Sequence, residues 1–134
     1  MSRTKKRKIY DCIEYLSVEA PLEKVDYLED KQSKYIREYV KNKEYSIVGT
    51  ERRHGFSQGD VNRQWAAIVR LIKAKRVDGV VVANMAAVSD SVPDAFYKVG
   101  QIIDAGGIIV TVDEGRLDMN IRRDCDEGEE YEGV

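Results

Sequence analysis

A chain of 134 residues with net charge −2, 43% hydrophobic and 34% charged, suits one soluble globular domain with a single core. No apolar run approaches the roughly 18 residues a membrane span needs, and the basic start, Met1 to Lys8, leads into no apolar stretch of the secretory kind, so a cytoplasmic protein is expected. Cys12 and Cys125 form no CxxC or Cys/His grouping and His54 is the single histidine, which argues against a zinc site of N/S ligands and a Ser-His-Asp hydrolase and leaves one buried and one exposed thiol as the expectation.

Ile9 to Val18 is rich in β-formers at its start and predicts the first strand, ended by Pro21. From Tyr27 to Asn42, the apolar residues Tyr27, Leu28, Tyr35, Ile36, Tyr39 and Val40 fall on one face of a helix. Tyr45 to Thr50 reads as a short strand and the polar stretch Arg52 to Asn62 as a loop. Asp60 or Asn62 can then cap a helix from Arg63 to Ala74 that buries Trp65, Ile68, Val69 and Ile72. Gly79 to Met85 is apolar without alternation, as a central parallel strand covered on both faces should be. Ala86 to Val92 reads as a loop. Pro93 opens a helix to Ala105 with Phe96, Tyr97, Val99, Ile102 and Ile103 facing inward. Gly106 and Gly107 end it, Ile108 to Val112 is the last strand, and nothing after Asp113 reads as regular structure.

Strands alternating with helical crossovers predict a three-layer α/β domain, with a mainly parallel four- to five-stranded sheet flanked by helices. The domain is expected over residues 9–118, with a basic arm over 1–8 and an acidic, disordered tail over 119–134. Asp124 to Val134 carries six acids and no base, and without it 22 bases face 18 acids. Five bases lie within Arg3 to Lys8. The arm is suited to contacting phosphates, and the tail to competing with nucleic acid for it.

The loops after the strands hold no GxGxxG and no GxxxxGK[ST], so no nucleotide cofactor is expected. A phospho-receiver would need clustered acids after the first strand and a lysine after the last, and only Glu19 is in place. Arg52, Arg53, His54 and Arg63 form the best candidate for binding an anion. Arg52, Arg53 and Arg63 are accordingly the candidate DNA contacts. Gln32 reads as a solvated polar residue, Ser57 as turn chemistry and Trp65 as core.

The order of several short segments resembles the catalytic domain of the serine recombinases of the resolvase/invertase type. Tyr15-Leu-Ser-Val-Glu19 is similar to the YxRVS end of that family's first strand, and Leu28-Glu-Asp-Lys-Gln32 to its first helix. Gly55-Phe-Ser-Gln-Gly59 followed by Arg63 resembles its GxSG…R loop. The stretch from Asp78 to Asp90 sits where the family has a strand and an arginine-rich signature, and Gly107 to Glu114 resembles the strand after that. The resemblance covers about residues 8 to 118. It implies the resolvase-type fold and a setting in DNA recombination on mobile elements.

The family cuts DNA with a serine nucleophile, and arginines neutralise the charge that develops on the phosphate. Here the nucleophile position is Glu19 on the simple alignment, or Ser17 after a shift of two residues. The aspartate and two arginines of the later signature become Ala86, Ala87 and Asp90, and Arg63 alone matches a family arginine. The long dimerisation helix and the separate DNA-binding domain are absent from this sequence. The resemblance therefore implies a catalytically inactive domain that acts as an accessory factor on DNA, on an active recombinase or on another copy of itself. Two alternatives stand beside it: residual DNA cleavage by Ser17 with Arg63, and an unrelated doubly wound binding module. No cofactor, metal or membrane partner is expected.

Overall fold

In the computed structural model, which describes residues 8–54 and 58–117, the first strand lies in the interior of the sheet. β1 (Tyr10–Leu16) pairs in parallel with β2 (Tyr45–Arg52) on one side and with β3 (Gly79–Val82) on the other. β4 (Ile108–Thr111) runs parallel to β3, and β5 (Gly115–Leu117) closes that edge antiparallel. The order is β2-β1-β3-β4-β5. This is the five-stranded, mainly parallel sheet expected from the alternation of strand and helix patterns.

Alternate residues of β1 point to opposite faces of the sheet. Cys12 and Leu16 pack with Ile36 and Val40 of α1 (Leu22–Val40). Ile13 and Tyr15 pack with Trp65, Ile68 and Ile72 of α2 (Gln58–Lys73) and with Val99 and Ile102 of α3 (Val92–Asp104). The helices thus form the two outer layers. β3 is buried at every residue, which is why its sequence shows no alternation. Trp65 is fully buried, packs edge-on to Tyr15 and donates its indole N–H to the Lys98 carbonyl at 3.2 Å. Gly79 lets β3 approach β4 closely: a Cβ there would lie 2.2 Å from the Ile108 carbonyl oxygen.

Two buried charges tie the layers together. Glu14, 1% exposed, accepts hydrogen bonds from Ser33 Oγ, Thr50 Oγ1 and Arg37 Nη2, and so joins β1 to α1 and β2. Lys98 donates to the Val88 carbonyl at 3.3 Å and pairs with Asp94 at 3.0 Å. Both ions meet the requirement that a buried charge be paired and hydrogen-bonded.

Several expectations need correction. α1 starts at Leu22, directly after Pro21, and not at Tyr27. Its buried residues are Val25, Glu29, Ile36 and Val40, while Tyr27 and Tyr35 are exposed. Ile36 and Val40 lie on the expected buried face, but Tyr27 and Tyr35 do not, and a glutamate, Glu29, takes a core position in their place. α2 begins at Gln58, so Arg63 lies in the helix and not at its start. Phe96 and Tyr97 of α3 are exposed. The expected third strand ends at Val82, and Asn84 caps a short 3-10 turn, Met85–Ala87, by accepting from the Ala87 N–H at 3.1 Å. A fifth strand follows Asp113, made possible by a turn in which Gly115 has φ of 81° and Glu114 N–H donates to Thr111 Oγ1. Ser57, Cys125, most of the basic arm and the acidic tail lie outside the described residues.

Candidate functional site

The winding of the sheet reverses between β1 and β3. The crossover after β1 runs over one face through α1, and the later ones run over the other through α2 and α3. At such a point the two outgoing loops part and leave a crevice beyond the carboxyl ends of the strands, the usual ligand position in open α/β sheets. A cavity of about 230 Å³ occupies this place, with Ser17, Glu19, Arg53, Ala86, Ala87 and Asp90 in its wall.

Ser17 is held firmly. The Gln32 side chain accepts from the Ser17 N–H at 2.8 Å and donates to the Ser17 carbonyl at 2.9 Å. Gln32 is therefore a structural clamp and not a solvated residue. The Ser17 side chain is 5% exposed, and its Oγ accepts from Arg53 Nη1 at 3.4 Å. Arg53 is anchored through its own backbone, whose N–H donates to the Leu16 carbonyl at 2.9 Å. Its guanidinium also lies 4.0 Å from Glu19 Oε2. Ser17 and Glu19 thus both reach the crevice, Ser17 as a buried hydroxyl and Glu19 as an exposed carboxylate.

The other sequence-selected arginines lie elsewhere. Arg63 does not line this cavity and ion-pairs with Asp60 one turn earlier on the outside of α2. Arg52 donates to Asp30 at 2.7 Å and lies 3.6 Å from Glu29. Arg52, Arg53 and Arg63 are each matched by a carboxylate. The arginine beside Ser17 is Arg53, which no family motif marked.

These charges limit the chemistry of the crevice. Among the described residues, Arg53 is the one cation in its wall, with Glu19 and Asp90 as anions. A transferring phosphoryl group needs positive charge aimed at its oxygens, and the two carboxylates oppose that over a short range. The methyl side chains of Ala86 and Ala87 offer no donor.

Two other features lie outside the crevice. A larger apolar cavity of about 460 Å³ opens between the 3-10 turn, α3 and β5, against Met85, Val92, Phe96 and Leu117. Between α1 and the end of β2, Asp26, Glu29 and His54 bring three possible ligand atoms within 4.8 Å of one another. Burial pushes the Glu29 carboxyl up from its ordinary value, against the pull of the His54 N–H and the Arg52 charge. Cysteine and histidine spacing alone does not mark this group in the sequence. The i, i+3 spacing of Asp26 and Glu29 was the available signal.

Among the described residues no helix is long and apolar enough to cross a membrane.

Solved structures share this architecture. The chain matches a resolvase family site-specific recombinase from Streptococcus pneumoniae with a TM-score of 0.67 and 19% identity, over 94% of this chain and 95% of that one. It matches the N-terminal catalytic domain of TP901-1 integrase with a TM-score of 0.64 and 20% identity, over 78% of each chain. It also matches the C-terminal catalytic domain of ISC1926 TnpA, an IS607-like serine recombinase, with a TM-score of 0.59 and 17% identity, over 76% of this chain and 69% of that one. At these identities the likeness is one of fold. No protein-family model and no curated protein matches the sequence. The fold is thus the one found in serine-recombinase catalytic domains, as the sequence resemblance implied.

Proposed function

We propose that this chain is a serine-recombinase-like domain that has lost strand-cleaving chemistry and serves DNA recombination on a mobile element as an accessory binding factor. The observation that carries this reading is the charge of the crevice: one guanidinium, Arg53, stands against the carboxylates of Glu19 and Asp90. The local field repels the phosphodiester that a recombinase has to hold.

The partner favoured by the surface is a protein, an active recombinase of the same fold or a second copy of the chain. Arg52, Arg53 and Arg63 each face a carboxylate, which weakens their pull on DNA phosphates. The competing role, direct DNA contact by these three arginines, has a clear signature. Each phosphate neutralised makes binding steeper in salt, so anisotropy of a labelled duplex across a salt series would show a steep slope that the triple alanine variant flattens.

A second reading is favoured by the 3.4 Å contact of Ser17 Oγ with Arg53 Nη1. It makes the chain a residually active enzyme with Ser17 as nucleophile and Arg53, in place of Arg63, as the nearest charge stabiliser. One experiment separates the two readings. The purified chain is incubated with supercoiled and mixed-sequence duplex DNA, denatured, and examined for protein covalently joined to DNA. The expected result is no adduct. An adduct that disappears in Ser17→Ala overturns the inactive reading.

A further inference from the structure

We propose that Asp26, Glu29 and His54 form a binding site for a first-row divalent transition-metal ion of the Zn²⁺ class, pinning the end of β2 to α1. This inference is independent of any role in recombination.

The three ligands come from two elements. Asp26 and Glu29 are three residues apart on α1 and therefore neighbours on its surface, and His54 follows the end of β2. His54 Nδ1 lies 3.4 Å from Asp26 Oδ1 and 3.9 Å from Glu29 Oε1. Ligands about 2.1 Å from a tetrahedral zinc stand roughly 3.4 Å from one another, so small side-chain adjustments bring these atoms to coordination distance.

Glu29 points to a cation site independently of the cluster's spacing. Its side chain is fully buried, and its Oε1 has no hydrogen-bond donor. Buried carboxylate oxygens are normally satisfied, and one that is not calls for an ion or a donor. This oxygen faces the His54 imidazole. The other oxygen, Oε2, accepts from the His54 backbone N–H at 3.0 Å, which fixes the carboxylate in place. The same bond holds His54 at φ of 55°, in the left-handed region that a residue with a Cβ seldom adopts.

Arg52 does not fill the place of the metal. Its Nη1 is 3.6 Å from Glu29 Oε1, beyond hydrogen-bond reach, while its Nη2 is committed to Asp30 at 2.7 Å. Asp26, Glu29 and Asp30 face this one guanidinium, and the surplus negative charge suits a divalent ion. Imidazole with carboxylates selects Zn²⁺ and its neighbours over Mg²⁺ or Ca²⁺, which prefer all-oxygen shells. Asp26 is mostly exposed and His54 about half exposed, so an ion can enter from solvent and keep water in its open position.

The test is calorimetric titration of the chelator-treated full chain with ZnCl₂, with Co²⁺ absorption reporting the ligand field. The expected result is one Zn²⁺ per chain with affinity lowered at least about tenfold in His54→Ala and in Asp26→Asn. Asp26 is exposed, so its variant reports ligation without disturbing the core. No Zn²⁺ binding by the wild-type chain overturns the site. So does binding that both variants retain in full, which places the ion elsewhere, for example on the acids of 124–134. Binding of Mg²⁺ but not Zn²⁺ overturns the assigned class.

Discussion

Gln32 and Ser17 are joined twice, side chain to backbone, with the amide of one serving as both donor and acceptor to the main chain of the other. The bonds copy a rung of a sheet ladder at the point where β1 has run out of strand partners. Replacing Gln32 by alanine leaves a buried N–H and carbonyl at Ser17 without these partners. A loss of about 1–3 kcal/mol is expected in chemical denaturation. Gln32→Glu keeps the acceptor but sets a carboxylate against the Ser17 carbonyl, and is expected to cost as much or more. A loss under half a kcal/mol in both would show that water replaces the clamp freely.

Neutralising the acids of the crevice is expected to make it receptive to anions. The double variant Glu19→Gln, Asp90→Asn should bind inorganic phosphate at least about threefold more tightly than the wild type at low salt, since two nearby repulsive charges are gone. Adding Arg53→Ala should cancel the gain. Equal phosphate affinity in wild type and double variant would mean that the carboxylates do not control the crevice.

Gly79→Ala should be among the most damaging single substitutions. The new methyl meets the Ile108 carbonyl carbon and oxygen, which are backbone and cannot swing aside. β3 and β4 would have to part, and a loss of about 3 kcal/mol or more is expected from thermal or urea melting.

Cys12 sets the alkaline limit. Burial, reinforced by the charges of Asp78 and Asp11, pushes its thiol from 9.0 up to about 12. Between these values the unfolded chain releases the proton and the native chain keeps it. Stability is therefore flat with respect to this group below pH 9 and falls as pH rises towards 12, by up to about 1.4 kcal/mol per unit. Tyr15, also raised chiefly by burial, acts in the same direction. Cys12→Ala should fall less steeply with pH over this window, by about one proton. Parallel curves for the two proteins would refute the assignment.

The layer order was legible because each buried strand and helix carries its own apolar signal: Val80, Val81 and Val82 in β3, Trp65 and Ile68 in α2. The misplaced details share a cause. Glu14, Glu29 and Lys98 are polar residues whose burial depends on partners far along the chain, such as Arg37 and Thr50 for Glu14. Periodicity sees such residues only as polar. The site was half legible for the same reason. Ser17 stood out, but motif spacing selected Arg63 while the backbone bond from Arg53 to Leu16 brought Arg53 to it. β5 was missed because three residues carry too little pattern to read, and their pairing rests on the turn at Gly115.

The interior position of β1 also bears on how the chain emerges during synthesis. β1, α1 and β2 are adjacent in sequence and can associate early. The second partner of β1 does not exist until Gly79–Val82 has been made. Until then the Cys12–Glu14 edge is an open row of backbone donors and acceptors, flanked by apolar side chains, of the kind that recruits strands from other chains. Nascent chains halted before residue 79 are therefore the species most prone to aggregate, and slow decoding between β2 and β3 would enlarge their share.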